Sequence, residues 1–236
     1  MAINLQKGQR IDLTKKTGAT LTNFCVGCNW GAIETIERRE VIISEGIFGI
    51  GRKTEFRNFK QDTDVDLDLS CILVDNNGNL CDHIYSPLYK VDLLAKYGLS
   101  PGKLQTSNNA LKHSGDDQEG DKGGDDGLDN EIITVDLNKL PSNITQIFFF
   151  LNNCGKEDFS QIPYAKIRMY EGTSTHVTEV FAQYDVAAEQ QYAQKTALIM
   201  GKLYKKDDQW KFHAIGDATE DWFLGQTIQR IIKSYI

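Results

Sequence analysis

Two short stretches of the chain carry residue types that could do chemistry. Residues 113–131, HSGDDQEGDKGGDDGLDNE, hold eight carboxylates: Asp116, Asp117, Glu119, Asp121, Asp125, Asp126, Asp129 and Glu131. Five glycines separate them, and Lys122 is the one base among them. This stretch alone accounts for the formal charge of −7 carried by all 236 residues, so the rest of the chain is neutral in sum. Residues 61–70, QDTDVDLDLS, place Asp62, Asp64, Asp66 and Asp68 at every second position, with Val65, Leu67 and Leu69 between them. If the segment is a strand, all four aspartates share one face. Cα atoms two apart then lie roughly 6.5–7 Å from each other, so neighbouring carboxylates can lean onto one cation. Without a cation, such a row of like charges costs free energy.

Each stretch alone has a bland reading. The first is a disordered acidic loop, and the second an edge strand whose charges guard against aggregation. Together they favour a hard cation. Calcium takes 6–8 oxygen ligands from carboxylates and carbonyls in flexible arrangements. Glycine lets a loop turn its carbonyls inward and adopt positive φ. Thiolate and imidazole are missing from both stretches apart from His113 at the border, which disfavours zinc and copper. Magnesium uses fewer protein ligands and prefers a phosphate partner. The spacing is not that of an EF-hand, and Asp75-Asn-Asn-Gly-Asn79 joins two strand-like segments, so it reads as a hairpin turn.

The elements that must position these acids read as short strands. LTNFCVGCNW (21–30), LDLSCILVD (67–75), LCDHIYS (80–86), EIITVDL (131–137), ITQIFFFLNN (144–153), YAKIRMYEG (164–172), TALIMGKLYK (196–205) and QWKFHAIGD (209–217) are rich in apolar and β-branched residues. Turn residues separate several of them. This spacing predicts an antiparallel β-sandwich. Helical periodicity is confined to LYKVDLLAKYG (88–98), closed by Gly98, and to the C-terminal DATEDWFLGQTIQRIIKSYI. In the latter, Trp222, Ile228 and Ile232 recur at helical spacing and Thr219 or Asp217 is a candidate cap. Residues 32–60 are mixed and basic-leaning and read as an insertion.

Composition narrows the function classes. A pI near 5.2 argues against nonspecific binding to nucleic acid or anionic lipid. The N-terminus lacks the apolar core of a secretory signal, and the longest apolar run, IFFFL, is far short of a bilayer span. Five scattered cysteines suit a reduced, cytoplasmic compartment.

The ordered set of motifs DVDLDLSCILVDNNGNLCD (64–82), HSGDD (113–117) and a Gly/Asp loop ending DNE (129–131) resembles the tellurium-resistance TerD family. INLQKGQRIDLTK (3–15), VDLNKLP (135–141) and ALIMGKLYKKDDQWKFHAIGDA (197–218) continue the resemblance, which covers most of the chain except roughly 31–60. It implies a single β-sandwich domain over 1–236, with two calcium ions bound in acidic loops at one end. It further implies a cytoplasmic stress-response or signalling role, exercised through a protein partner and without established catalysis. By position, it implies Asp64, Asp66, Asp68, Asp116, Asp117, Asp125, Asp126, Asp129 and Glu131 as metal ligands. Which of Asp125 and Asp126 serves stays open, because KGGDDGL (122–128) is longer than the family loop. The family's Gly-Trp-Asp stands here as Asn29-Trp30-Gly31, which removes an acid near a second metal site.

Other signals carry less. Cys25-Val-Gly-Cys28 has redox spacing, but on a strand the two thiols face opposite sides, and a redox pair belongs at a helix N-terminus. GIFGIGRKT (46–54) nearly reads as a phosphate-binding loop, with its lysine one position late. The four histidines are far apart, and no nucleophile elbow occurs. Trp30, Trp210 and Trp222 read as core anchors. Two alternatives stay open. One is a metal-dependent phosphodiesterase, for which the acidic loops supply Lys122 alone as a phosphate-handling cation. The other is calcium-bridged, peripheral attachment to a membrane surface, with Leu128 and Lys122 as thin support.

Overall fold

The run Ile147 to Leu151 sets the layering. On a strand its side chains alternate, and both faces are apolar, so it must be covered on both sides. The computed structural model, which describes residues 3–15, 18–45, 52–185 and 190–236, shows this arrangement. Ile147, Phe149 and Leu151 join the core between two sheets, while Phe148 and Phe150 point into a second core beneath two helices.

The strands are β1 (Ile3–Asn4), β2 (Arg10–Asp12), β3 (Asn23–Trp30), β4 (Ile33–Ser44), β5 (Lys53–Thr63), β6 (Leu67–Asp75) and β7 (Leu80–Ile84), followed by helix α1 (Val91–Lys96). After it come β8 (Leu111–His113), β9 (Glu131–Asp136), β10 (Ile144–Asn153), β11 (Ala165–Thr173), β12 (His176–Asp185), β13 (Ala197–Lys206), β14 (Gln209–Thr219) and helix α2 (Leu224–Ser234). One six-stranded sheet runs β1-β12-β11-β3-β9-β8 and the other β2-β14-β13-β10-β6-β7. Every pairing is antiparallel except that of β1 with β12. The sandwich core interleaves Phe24, Val26, Cys28 and Trp30 of β3 with Leu67, Leu69, Cys71 and Leu73 of β6. Cys25 faces the other way, so the two cysteines of the 25–28 pair are buried on opposite sides of one strand, as the alternation predicts.

Three local expectations are corrected. Residues 61–70 are not one strand: β5 ends at Thr63, residues 64–66 pair with no strand, and β6 begins at Leu67 in a different sheet. The C-terminal helix starts later than the spacing suggests. Asp217 and Thr219 belong to β14, and no side chain caps the helix at Phe223. Asp221 instead holds the approach, accepting two 2.7 Å bonds from Arg230 and one of 2.8 Å from Thr219. The buried stripe of α2 is Leu224, Thr227, Ile228 and Ile231, with i, i+3, i+4, i+7 spacing. Trp222 lies off this stripe and is 62% exposed. Residues 33–44 and 53–63 form a third, separate sheet, the two-stranded ribbon β4–β5, exposed along nearly all of these two strands. The glycine-rich part of GIFGIGRKT, 46–51, lies outside the described residues. Among the described residues no helix is long and apolar enough to cross a membrane.

Candidate metal centre

The two acid-rich segments meet. The link between β5 and β6 receives the loop after β8, with the Val65 amide donating to the Glu119 carbonyl at 3.0 Å. Trp30 locks the junction from below: its indole N–H donates to the Val65 carbonyl at 2.7 Å. Gly120 lies across that indole, with φ of +73° and room for no side chain, since a Cβ there would meet the Trp30 ring at 2.7 Å. A glycine is therefore required both by its conformation and by contact.

Here Asp68, Asp116 and Glu131 bring carboxylate oxygens within 4.8 Å of one another. Asp68, with Asp66 and the thiol of Cys154, forms a second triplet of the same tightness. Asp68 and Glu131 are buried. Glu131 has both oxygens committed: one accepts from the Leu69 amide at 2.6 Å and the other from the Asp117 amide at 3.1 Å. His113 stands behind it, 3.4 Å away. The Gly115 amide donates to His113 Nδ1 at 3.1 Å, which leaves Nε2 to carry the proton toward the Leu69 carbonyl and Glu131. Asp117 organises the loop, accepting from the amides of Glu119 and Gly120 and from the Asn130 side chain.

Electrostatically this cluster is starved. Among the described residues, no lysine or arginine pairs with Asp66, Asp68, Asp116 or Glu131. Burial, reinforced by Asp116, Glu131 and Asp117, pushes the Asp66 carboxyl up to about 6. Burial likewise holds Asp68 well above the usual carboxylate range and raises Glu131, against the lowering contact of His113. Crowded oxygens that resist ionisation without a counter-charge are what a hard cation relieves. A cleft of about 530 Å3, walled by Tyr89, Trp222 and Phe223, opens onto Asp66, Asp68 and Asp116 and supplies a path for entry.

A second cluster lies further along the loop, where oxygens of Asp121, Asp125 and Asp126 also come within 4.8 Å. It is better provided with donors. Tyr164 donates its hydroxyl to Asp121 at 2.9 Å, and the Asn29 and Asn130 amides donate to it at 3.0 and 3.2 Å. Lys166 pairs with Asp125 and holds its carboxyl below the usual range. The Asn29 side-chain oxygen, buried beside this cluster, has no hydrogen-bond partner, although its amide nitrogen donates to Asp121 and to the Leu128 carbonyl.

Three predicted ligands stand outside these clusters. Asp117 has its oxygens taken by the loop amides and Asn130. Asp64 is exposed and pairs with Lys122 at 3.0 Å. Asp129 folds back onto the outer face of β3, where it pairs with Arg168 at 2.8 Å and covers Gly27. Sequence reading passes over Asp121 and Cys154. Nothing in the local spacing marks Asp121, but its main chain explains its place. It bonds to the Trp30 carbonyl and the Ala32 amide, both at 2.9 Å, flanking Gly31. An acid thus stands beside the position where the family pattern has one. Gly31 itself could not carry a side chain, because a Cβ would meet the Tyr164 ring at 2.7 Å.

Comparison with known proteins agrees with this geometry. The TerD domain matches residues 1–235. The stress response protein SCP2 of Bacillus subtilis (strain 168) is 33% identical over 98% of this chain and 100% of its own. Tellurium resistance protein TerD of Serratia marcescens is 26% identical over 92% of this chain and 91% of its own. None of these descriptions names a catalytic activity. A crystal structure of a TerD homologue from Streptomyces coelicolor A3(2) shares the fold, with a TM-score of 0.53 at 12% identity over 85% of this chain and 92% of that one. With the family's domain spanning nearly every residue and its acidic segments brought together, the chain belongs to the TerD family.

Proposed function

We propose that this protein is a calcium-binding module of a cytoplasmic stress response, which works by metal-dependent ordering and partner binding rather than by catalysis. The observation that carries this reading is the convergence of Asp68, Asp116 and Glu131, two of them buried and none paired with a lysine or arginine among the described residues, with Asp66 beside them. The donor set is oxygen, which suits calcium. In this reading the first ion sits among those carboxylates. A second, weaker one sits at Asp121, Asp125 and Asp126, where the partnerless oxygen of Asn29 is at hand. Filling the first site removes the repulsion that raises Asp66 and Asp68 and ties β6 and β9 to the loop between them.

Calcium present at a hundredfold excess over Kd would stabilise the fold by about 2.7 kcal/mol. Calorimetric titration of chelator-stripped protein with calcium, paired with thermal melts, tests the proposal. Heat of binding and a raised midpoint are expected, and an unchanged midpoint with no heat would sink it. A phosphodiesterase reading is less well served, since Lys122 is already engaged by Asp64 and Glu119.

A further inference from the structure

We propose that the β4–β5 ribbon is a dimerisation arm, and that its occupant is the same ribbon of a second copy of this chain, joined edge to edge along β5. A lone two-stranded ribbon is marginally stable in water, and three or more strands are needed for a sheet to hold by itself. Among the described residues this ribbon pairs with no other strand, and both its edges are open. It also carries Ile36, Ile42, Ile43, Phe56 and Phe59 exposed. Long open edges of this kind template pairing with another chain.

Symmetry and charge select the register. A two-fold axis perpendicular to the ribbon keeps each residue on its own face, so only partners of like parity can stand opposite. Centred on Phe56, the two aromatic rings meet at the axis. Glu55 then faces Arg57 of the second copy twice over, Thr54 faces Asn58, and Lys53 faces Phe59. No like charges oppose one another between positions 53 and 59. Opposite charges directly across strands stabilise a pair, and like charges destabilise it. Centring on Glu55 or Arg57 puts a charge against its own copy, and centring on Asn58 brings no opposite charges across. Along β4, every register centred from Glu37 to Glu40 opposes a charge to itself. One centred on Ile36 drives the partner into the root of the ribbon, where Ile33 packs on the core. At present Arg57 pairs with Glu55 on its own strand, so both groups are already held on one face and ordered for this exchange.

The test is sedimentation of the full chain. The wild type is expected at twice the chain mass of 26.6 kDa. Glu55→Arg and Arg57→Glu should each sediment as monomers, with dimer affinity reduced at least tenfold. An equimolar mixture of the two should recover the dimer, because each edge then meets its opposite. The thermal midpoint of each variant should match the wild type under dilute, monomeric conditions, since the ribbon lies off the core. A wild type that stays monomeric at every concentration overturns the proposal and leaves the ribbon to a different partner. Single variants that remain dimeric, or a mixture that fails to dimerise, overturn it equally.

Discussion

The two carboxylate clusters are of similar tightness but opposite in support. Asp68 and Glu131 are mounted at the starts of strands β6 and β9 and are buried, Asp116 reaches them from the loop after β8, and among the described residues none of the three pairs with a lysine or arginine. Asp121, Asp125 and Asp126 lie on an open loop and are met by Lys166, Tyr164, Asn29 and Asn130. The first has rigidity without neutralisation, and the second neutralisation without rigidity. A site of the first kind gains most from a metal ion, because its alternative is repulsion in a poorly hydrated place. The second must give up existing bonds before it binds, which lowers its affinity.

Breaking the comparison at its strongest point gives the largest effect. Glu131→Ala leaves the buried amides of Leu69 and Asp117 without acceptors and opens a void, so unfolding free energy should fall by about 3 kcal/mol in urea titration. A loss under 1 kcal/mol would show that the first cluster is not structurally committed.

Metal titration sharpens the difference. Asp68→Asn should weaken the tighter calcium event at least tenfold, about 1.4 kcal/mol, while Asp121→Asn should affect the weaker event alone. Equal effects on both events would erase the distinction between the clusters.

Proton linkage gives a smaller effect. Asp66 binds its proton more tightly when folded than when unfolded, so the metal-free fold loses stability as pH rises from the unfolded value near ~4 toward 6. Asp66→Asn should therefore be more stable than wild type above pH 6, with the advantage gone below about pH 4. Because Asp66 is partly open to water, the gain is set at about 1 kcal/mol. Chemical denaturation at the two pH values measures it. The smallest effect belongs to the loop: Asp125→Ala, which removes an exposed pair with Lys166, should change stability by less than about 0.5 kcal/mol.

Much of this arrangement was legible in the chain because period two is a strong signal. Leu67, Leu69, Cys71 and Leu73 announce their burial, and so do the five residues from Ile147 to Leu151. The convergence of 61–70 with 113–131 was read from the carboxylates of both stretches taken together, and the family resemblance supported it by position. Elsewhere the local signals were overridden. The aspartate alternation ran smoothly through 64–66, where the strand in fact breaks, because nothing in QDTDVDLDLS separates one strand from two strands joined by a short unpaired link of the same parity. Asp129 was drawn off by Arg168, a partner 39 positions away. Trp222 reads as a core residue by type, but it lies ahead of α2, whose buried stripe begins at Leu224, and the indole is left at the mouth of the cleft.

The main-chain bonds of Asp121 around Gly31 have a mechanical meaning. They fasten the loop of the second cluster to the point from which β4 leaves the sandwich. Twelve residues of extended chain make an arm of roughly 40 Å. A tilt of about five degrees at that pivot therefore swings the far end by ~3–4 Å over such a length. A rearrangement of carboxylates too small to disturb the sandwich would thus be amplified at a distance, in the way that a short push beside a hinge moves the whole door.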